Sequence, residues 1–149
     1  MDERFWEQWQ NSDAKNQDYL EKAVNILAVC HTIVPNHTDE GVLTYNASSP
    51  DELALTNAAR FFGYVFEDRD SANKVTIHNK HTGEKRYYEL LNVIEFTSLR
   101  KRMSVIVRTQ DDKILCMTKG ADSIIFPLLH AGQDDLIEKT EELLQEYAN

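Results

Sequence analysis

Between Gln17 and His31 apolar side chains recur at intervals of three and four (Leu20, Ala23, Val24, Leu27 and Cys30), the spacing of one buried helix face. Pro35 stops that pattern, and Asn36–Gly41 reads as loop before a short strand over Val42–Asn46. Ser49-Pro50-Asp51-Glu52 is a helix start: a serine N-cap, a proline in the first helical position, and a glutamate able to return a hydrogen bond to the cap amide. Leu53, Leu55, Ala58, Ala59 and Phe62 form the expected inner face, and Gly63 the stop. From Tyr64 the period shortens to two. Strands are predicted over Tyr64–Glu67, Lys74–His78, Lys85–Phe96, Met103–Arg108 and Lys113–Thr118, joined by polar turns at Asp68–Asn73, Asn79–Glu84 and Gln110–Asp112. His78 and His81 flank one of these turns and are expected to be exposed, with no role. Helical spacing returns over Asp122–His130 and Leu136–Ala148, with Gly132 between them and Asp134 or Asp135 as a cap. Strands in succession on short loops indicate an antiparallel sheet rather than parallel βαβ units.

Met1–Asn16 is polar and carries Phe5, Trp6 and Trp9 on one side of a short helix. Those rings either dock on the main body or belong to a flexible or loosely docked segment over residues 1–16. At 149 residues the chain reads as a single domain, 1–149, able to bury a core. Its formal net charge of -9 argues against a nucleic-acid partner. A local cluster of cations can still receive a nucleotide. Cys30 and Cys116 sit in apolar segments with no close pairing and read as reduced core residues of a cytosolic domain, not as a disulfide. His31 lacks neighbours at metal-site spacing and reads as a capping or core histidine. No run approaches the roughly 18 apolar residues of a membrane span. No signal peptide is visible.

The chemistry gathers around Glu95–Arg108. Phe96 stands at the mouth of a connection carrying Arg100-Lys101-Arg102, and Lys119 ends the following strand. A ring to stack on a base and cations to meet phosphates are the minimum of a nucleotide pocket. The same residues also describe a β-hairpin with a solvated basic turn, Phe96 closing a strand as a core ring and Glu52 serving only as a cap. Neither a Gly-x4-Gly-Lys-Ser/Thr loop nor a Gly-x-Gly-x-x-Gly motif is present, so the base would be the main handle.

Four motifs in order carry a resemblance: Cys30-His31-Thr32-Ile33-Val34-Pro35, Ser48-Ser49-Pro50-Asp51-Glu52, Glu95-Phe96-Thr97-Ser98 running into Arg100-Lys101-Arg102-Met103-Ser104-Val105, and Lys119-Gly120-Ala121-Asp122. Across roughly Leu27–Phe126 the chain resembles the nucleotide-binding domain of P-type ATPases, most of all the type IV phospholipid flippases. The resemblance implies an α+β fold, with a mostly antiparallel sheet of six or seven strands flanked by helices. It implies an ATP site in which Phe96 stacks on adenine, Glu52 faces its exocyclic amine and Lys119 lines the pocket near base and sugar. Ser98 is a further candidate for the nucleotide, and Lys101 or Arg100 for its phosphates, unless these cations only keep the turn soluble.

The family's phosphorylated aspartate, in its Asp-Lys-Thr-Gly-Thr setting, is absent from this sequence, as are membrane spans. The resemblance is therefore to an excised module. It implies a domain that presents the γ-phosphate of ATP to an aspartate on a separate phosphorylation domain and works with an actuator domain. Mg2+ would accompany the nucleotide at the parent's phosphorylation site, and this chain would supply neither a metal ligand nor a catalytic residue. The isolated chain is expected to be inactive. It is expected on the cytoplasmic side of a membrane, without touching lipid. The alternatives are the corresponding domain of a cation pump, or a non-catalytic acidic interaction domain.

Overall fold

The computed structural model describes residues 3–148, so Met1, Asp2 and Asn149, which the sequence reading placed in its terminal segments, lie outside the described residues. Helices α1 (Glu3–Asn11) and α2 (Ala14–Val29) lead into a hairpin of β1 (Val34–His37) and β2 (Leu43–Asn46). Helix α3 (Pro50–Phe61) follows, then five strands: β3 (Tyr64–Arg69), β4 (Lys74–Asn79), β5 (Lys85–Ile94), β6 (Arg102–Thr109) and β7 (Ile114–Gly120). The chain closes with α4 (Asp122–Ile125), a 3-10 turn over Phe126–Leu128, and α5 (Asp134–Tyr147).

The α+β class and the antiparallel pairing follow the expectation, with the strands divided between two sheets. Strands β3 to β7 form a five-stranded meander in chain order, and β1–β2 stand apart as a two-stranded sheet. Strand β1 was expected to be loop, because Pro35 and Asn36 are poor strand formers. Pro35 is tolerated because it lies in a strand paired on one side only. The helix before it ends at Val29, with Cys30 as C-cap, several residues ahead of that proline.

Helices α2 and α3 pack on one face of the five-stranded sheet. The core contains Val24, Ala28, Val29, Cys30 and Ile33 from the α2 side, Ala59 from α3, and Phe66, Val75, Ile77, Met103, Val105 and Val107 from the sheet. The buried stripe of α2 includes Asn25, whose carboxamide oxygen accepts from the Tyr88 hydroxyl at 3.3 Å. In α3 the inward positions are Thr56 and Ala59, whereas Leu55 is exposed. Helix α5 buries none of its side chains, and its N-cap is Gln133 rather than an aspartate.

Two further expectations are corrected. Cys116 is exposed, because β7 is a sheet edge and this position points away from the helices; Cys30 is buried, and burial raises its thiol to about 11. His78 and His81 are both drawn into contacts. His78 Nδ1 donates to Glu67 at 2.6 Å, beside Lys80 at 3.0 Å and Lys85 at 2.7 Å. Burial opposes ionisation of Glu67, but hydrogen bonds from Lys85, His78 and Lys80 hold its carboxyl at about 2. The His81 ring stacks on Trp6 at 4.3 Å, and Trp6 on Trp9 at 4.6 Å, while Phe5 meets Phe62 at 4.7 Å. The aromatic side of α1 thus lies against the body.

The turn leaving α2 is held by a buried histidine. His31 Nε2 donates to Ala28 O at 2.8 Å and Nδ1 accepts from Ile33 N–H at 3.3 Å, which requires a neutral ring. Burial lowers its pKa from 6.5 to about 4. Between those values the unfolded chain binds the extra proton and the native state does not, so stability is complete above about 6.5 and falls as the pH drops towards 4. The loss is about 3 kcal/mol. Urea unfolding between pH 7 and 4.5 is expected to show this decline, and His31→Gln, which takes up no proton there, is expected to flatten it.

Candidate functional site

The C-terminal end of β7, the N-terminus of α3, the turn after α2 and the exit of β5 converge on one cavity. Its volume is about 680 Å³, and its wall includes Leu27, Thr32, Glu52, Phe96, Met103 and Lys119. The capping sequence read from Ser49 forms as expected: Pro50 opens the helix, and the Ser49 hydroxyl accepts from Glu52 N–H at 3.4 Å. The reciprocal bond from Glu52 to the cap amide does not. Instead Glu52 Oε2 accepts from the Thr32 hydroxyl at 2.8 Å, with the Thr32 amide at 3.4 Å. Glu52 therefore crosses to the turn clamped by His31, and its other oxygen, Oε1, has no hydrogen-bond partner among the described residues.

Lys119 also lies on the wall. Its ammonium nitrogen is buried and has no hydrogen-bond partner among the described residues. Burial pulls its pKa below the ordinary lysine value, against the neighbouring Cys30 and Glu52, which favour the charged form. A buried polar group left without a partner costs about 1–3 kcal/mol, and more for a charge. Trp9 Nε1, Thr56 Oγ1 and Arg69 Nε are likewise buried without a partner among the described residues, but of the four only Lys119 lines this cavity.

Phe96 lies two residues beyond the end of β5 and is 59% exposed. The core-ring alternative fails here: the side chain lies at the cavity and outside the buried cluster. The connection beyond it is tied down by Arg100, whose guanidinium donates to Ile94 O at 3.2 Å and Glu95 O at 2.9 Å. Lys101 has a left-handed backbone (φ +50°), donates its amide to Thr97 O at 2.8 Å, and accepts from Ala121 N–H at 3.1 Å. Gly120 makes that approach possible. A Cβ there would lie 2.6 Å from both Lys101 O and Arg102 Cβ, with no flexible group to yield.

Of the five residues singled out in the sequence, Glu52, Phe96 and Lys119 share the cavity wall. Ser98 and Lys101 are exposed on the connection outside it. Thr32, Leu27, Leu55 and Met103 also line the cavity and were not singled out. Thr32 did lie inside the Cys30–Pro35 motif, and only its bond to Glu52 reveals what it does. A larger hollow of about 930 Å³ lies among His37, Arg60, Phe61, Glu67 and Lys80. Most of its charges are already engaged, Glu67 with Lys80 and Arg60 with Leu43 O at 3.3 Å, while Asp68 is exposed. Among the described residues it presents no buried, unpartnered ammonium like that of Lys119.

A family profile described as P-type ATPase, cytoplasmic domain N, matches residues 19–147. The chain belongs to this family. Relatives of the N domain described here are phospholipid-transporting ATPases. Probable phospholipid-transporting ATPase 7 of Arabidopsis thaliana is 46% identical over 135 residues, 89% of this chain and 11% of the relative. Phospholipid-transporting ATPase ID of Mus musculus is 40% identical over 145 residues, covering 97% and 12%. A phospholipid-transporting ATPase of Schizosaccharomyces pombe is 41% identical over 139 residues, covering 90% and 10%. The N domain thus spans about a tenth of the length of these relatives.

An unpaired ammonium kept for a ligand predicts opposite effects on stability and binding. Lys119→Met keeps the length and removes the charge. It is expected to stabilise the free domain by about 1–3 kcal/mol, read by thermal or urea unfolding. A destabilised Lys119→Met would mean that the ammonium supports the fold.

Proposed function

We propose that this N domain binds ATP in the cavity beneath Phe96 and presents the γ-phosphate to an aspartate on a separate phosphorylation domain of a phospholipid-translocating P-type ATPase. The observation that carries the reading is the Lys119 ammonium, buried and unpartnered on a wall it shares with Glu52, which keeps one acceptor oxygen open. Phe96 adds an exposed aromatic face at the same opening. These three supply what an adenine needs: a stacking surface, an acceptor for its exocyclic amine, and a donor for a ring nitrogen or ribose hydroxyl. Ser98 and Lys101, exposed beyond Phe96, are assigned to the polar end of the nucleotide.

The reading treats 1–149 as one nucleotide-binding unit and gives the chain no turnover of its own. Phosphoryl transfer needs in-line positioning of a nucleophile and metal-assisted neutralisation of charge. Both are assigned to the parent's phosphorylation domain, with Mg2+ bound there alongside the nucleotide. The actuator domain of the parent is the other intramolecular partner. No helix among the described residues is long and apolar enough to cross a membrane. The domain is assigned to the cytoplasmic side, acting without lipid contact, and lipid movement belongs to the parent. The phospholipid-transporting relatives support that class over a cation pump.

With one stack and few hydrogen bonds, the affinity is expected in the millimolar range, about -4 kcal/mol. Base–aromatic stacking contributes about 1–3 kcal/mol. Phe96→Ala is expected to weaken ATP binding about tenfold or more in a calorimetric or NMR titration, with the fold intact because the ring is outside the core. Undiminished ATP affinity in that variant would remove the reading.

A further inference from the structure

We propose that Thr32 is a positioning residue that makes the cavity select adenine over guanine, an inference that rests on the nucleotide reading above. A free carboxylate presents two acceptor oxygens side by side. That pair suits guanine, whose N1–H and N2–H donors lie parallel on one edge. The corresponding edge of adenine offers one amine donor beside an acceptor nitrogen.

In this cavity the two oxygens of Glu52 are not equivalent. Oε2 accepts from the Thr32 hydroxyl at 2.8 Å and faces the Thr32 amide at 3.4 Å, whereas Oε1 has no hydrogen-bond partner among the described residues. With both Thr32 donors on Oε2, Glu52 keeps only Oε1 free of hydrogen bonds, which satisfies the adenine amine and leaves one guanine donor unmet. A site built to pair with one donor pattern rejects a ligand that leaves polar groups unpaired.

The position of Thr32 is itself set from behind. The neutral His31 ring links Ala28 O to Ile33 N–H, bracketing Thr32 in the chain, and both His31 and Ile33 are fully buried. On the other side, the Ser49 cap holds the first turn of α3, and with it the backbone of Glu52. Both ends of the Thr32–Glu52 bond are therefore anchored. Thr32 also lines the cavity, so its loss is felt there and not only in the core. Thr32→Val keeps the side-chain shape and removes the hydroxyl. It removes the shorter of the two bonds to Oε2 and leaves only the 3.4 Å amide contact, opening that oxygen to the second bond that guanine wants.

The test is titration of the full 149-residue chain with ATP and with GTP, followed by NMR, for the unsubstituted protein, Thr32→Val, Thr32→Ser and Glu52→Gln. The unsubstituted chain is expected to prefer ATP about tenfold, Thr32→Val to reduce that ratio about three- to tenfold, and Thr32→Ser to retain it. Adding Thr32→Val to Glu52→Gln is expected to change the ratio no further, since Thr32 acts through the carboxylate. Should valine not be accommodated, Thr32→Ala serves in its place, with Thr32→Ser as the rescue. If ATP binds and shifts Phe96 while the ratio is the same with and without the hydroxyl, this inference is overturned and the nucleotide reading stands. If ATP does not bind the unsubstituted chain at all, both fall.

Discussion

A lysine ammonium shut away from water without a hydrogen-bond partner is an unfavourable thing to fold around, and the proposed nucleotide would supply the acceptor it lacks. Lys119 sits where β7 ends, inside a wall made by four separate parts of the chain. Burial lowers its pKa, and the nearby Glu52 forms no ion pair with it among the described residues, its Oε2 being bonded to Thr32 instead. The two polar groups that could have neutralised each other are kept apart. What results is a donor and an acceptor on one wall, under an open aromatic ring.

The rest of the fold serves that separation. The meander brings the end of β7 against the start of β6, where Met103 pairs with Lys119 and Arg102 with Gly120. The absence of a side chain at Gly120 lets the Lys101–Arg102 backbone close over it, and the Ala121 amide then bonds to Lys101 O. This ties the connection bearing Phe96 to the strand bearing Lys119. Across the cavity, the buried His31 ring fixes the turn that presents Thr32. Ring and ammonium are thus set by backbone contacts, and the carboxylate by the Thr32 hydroxyl, rather than by attraction to one another. That is how a site is kept ready for a ligand.

Much of this was legible in the residues. The 3.6-period stripe of α2, the Ser49-Pro50 start of α3 and the alternation from Tyr64 onward all report local preferences that the tertiary structure keeps. Phe96, Glu52 and Lys119 were singled out, and they share one wall. What was not legible depends on distant contacts. Strand β1 forms through its partner β2 despite Pro35 and Asn36. The Glu52 carboxylate abandons the cap amide because Thr32, twenty positions earlier, offers a better donor. His81 finds Trp6, and Cys116 falls on an open sheet edge. Period and spacing carry no information about such pairings, which arise only once the elements are assembled.

The central claim is that an adenine lies on Phe96 with Lys119 at its edge. Intermolecular NOE spectroscopy on the isotope-labelled chain at saturating ATP tests it directly. The account predicts cross-peaks from the adenine H2 and H8 protons to the Phe96 ring, with further contacts to the Lys119 side chain. Cross-peaks confined to Phe61 and Arg60 in the larger hollow, or none to Phe96 under saturation, would contradict it.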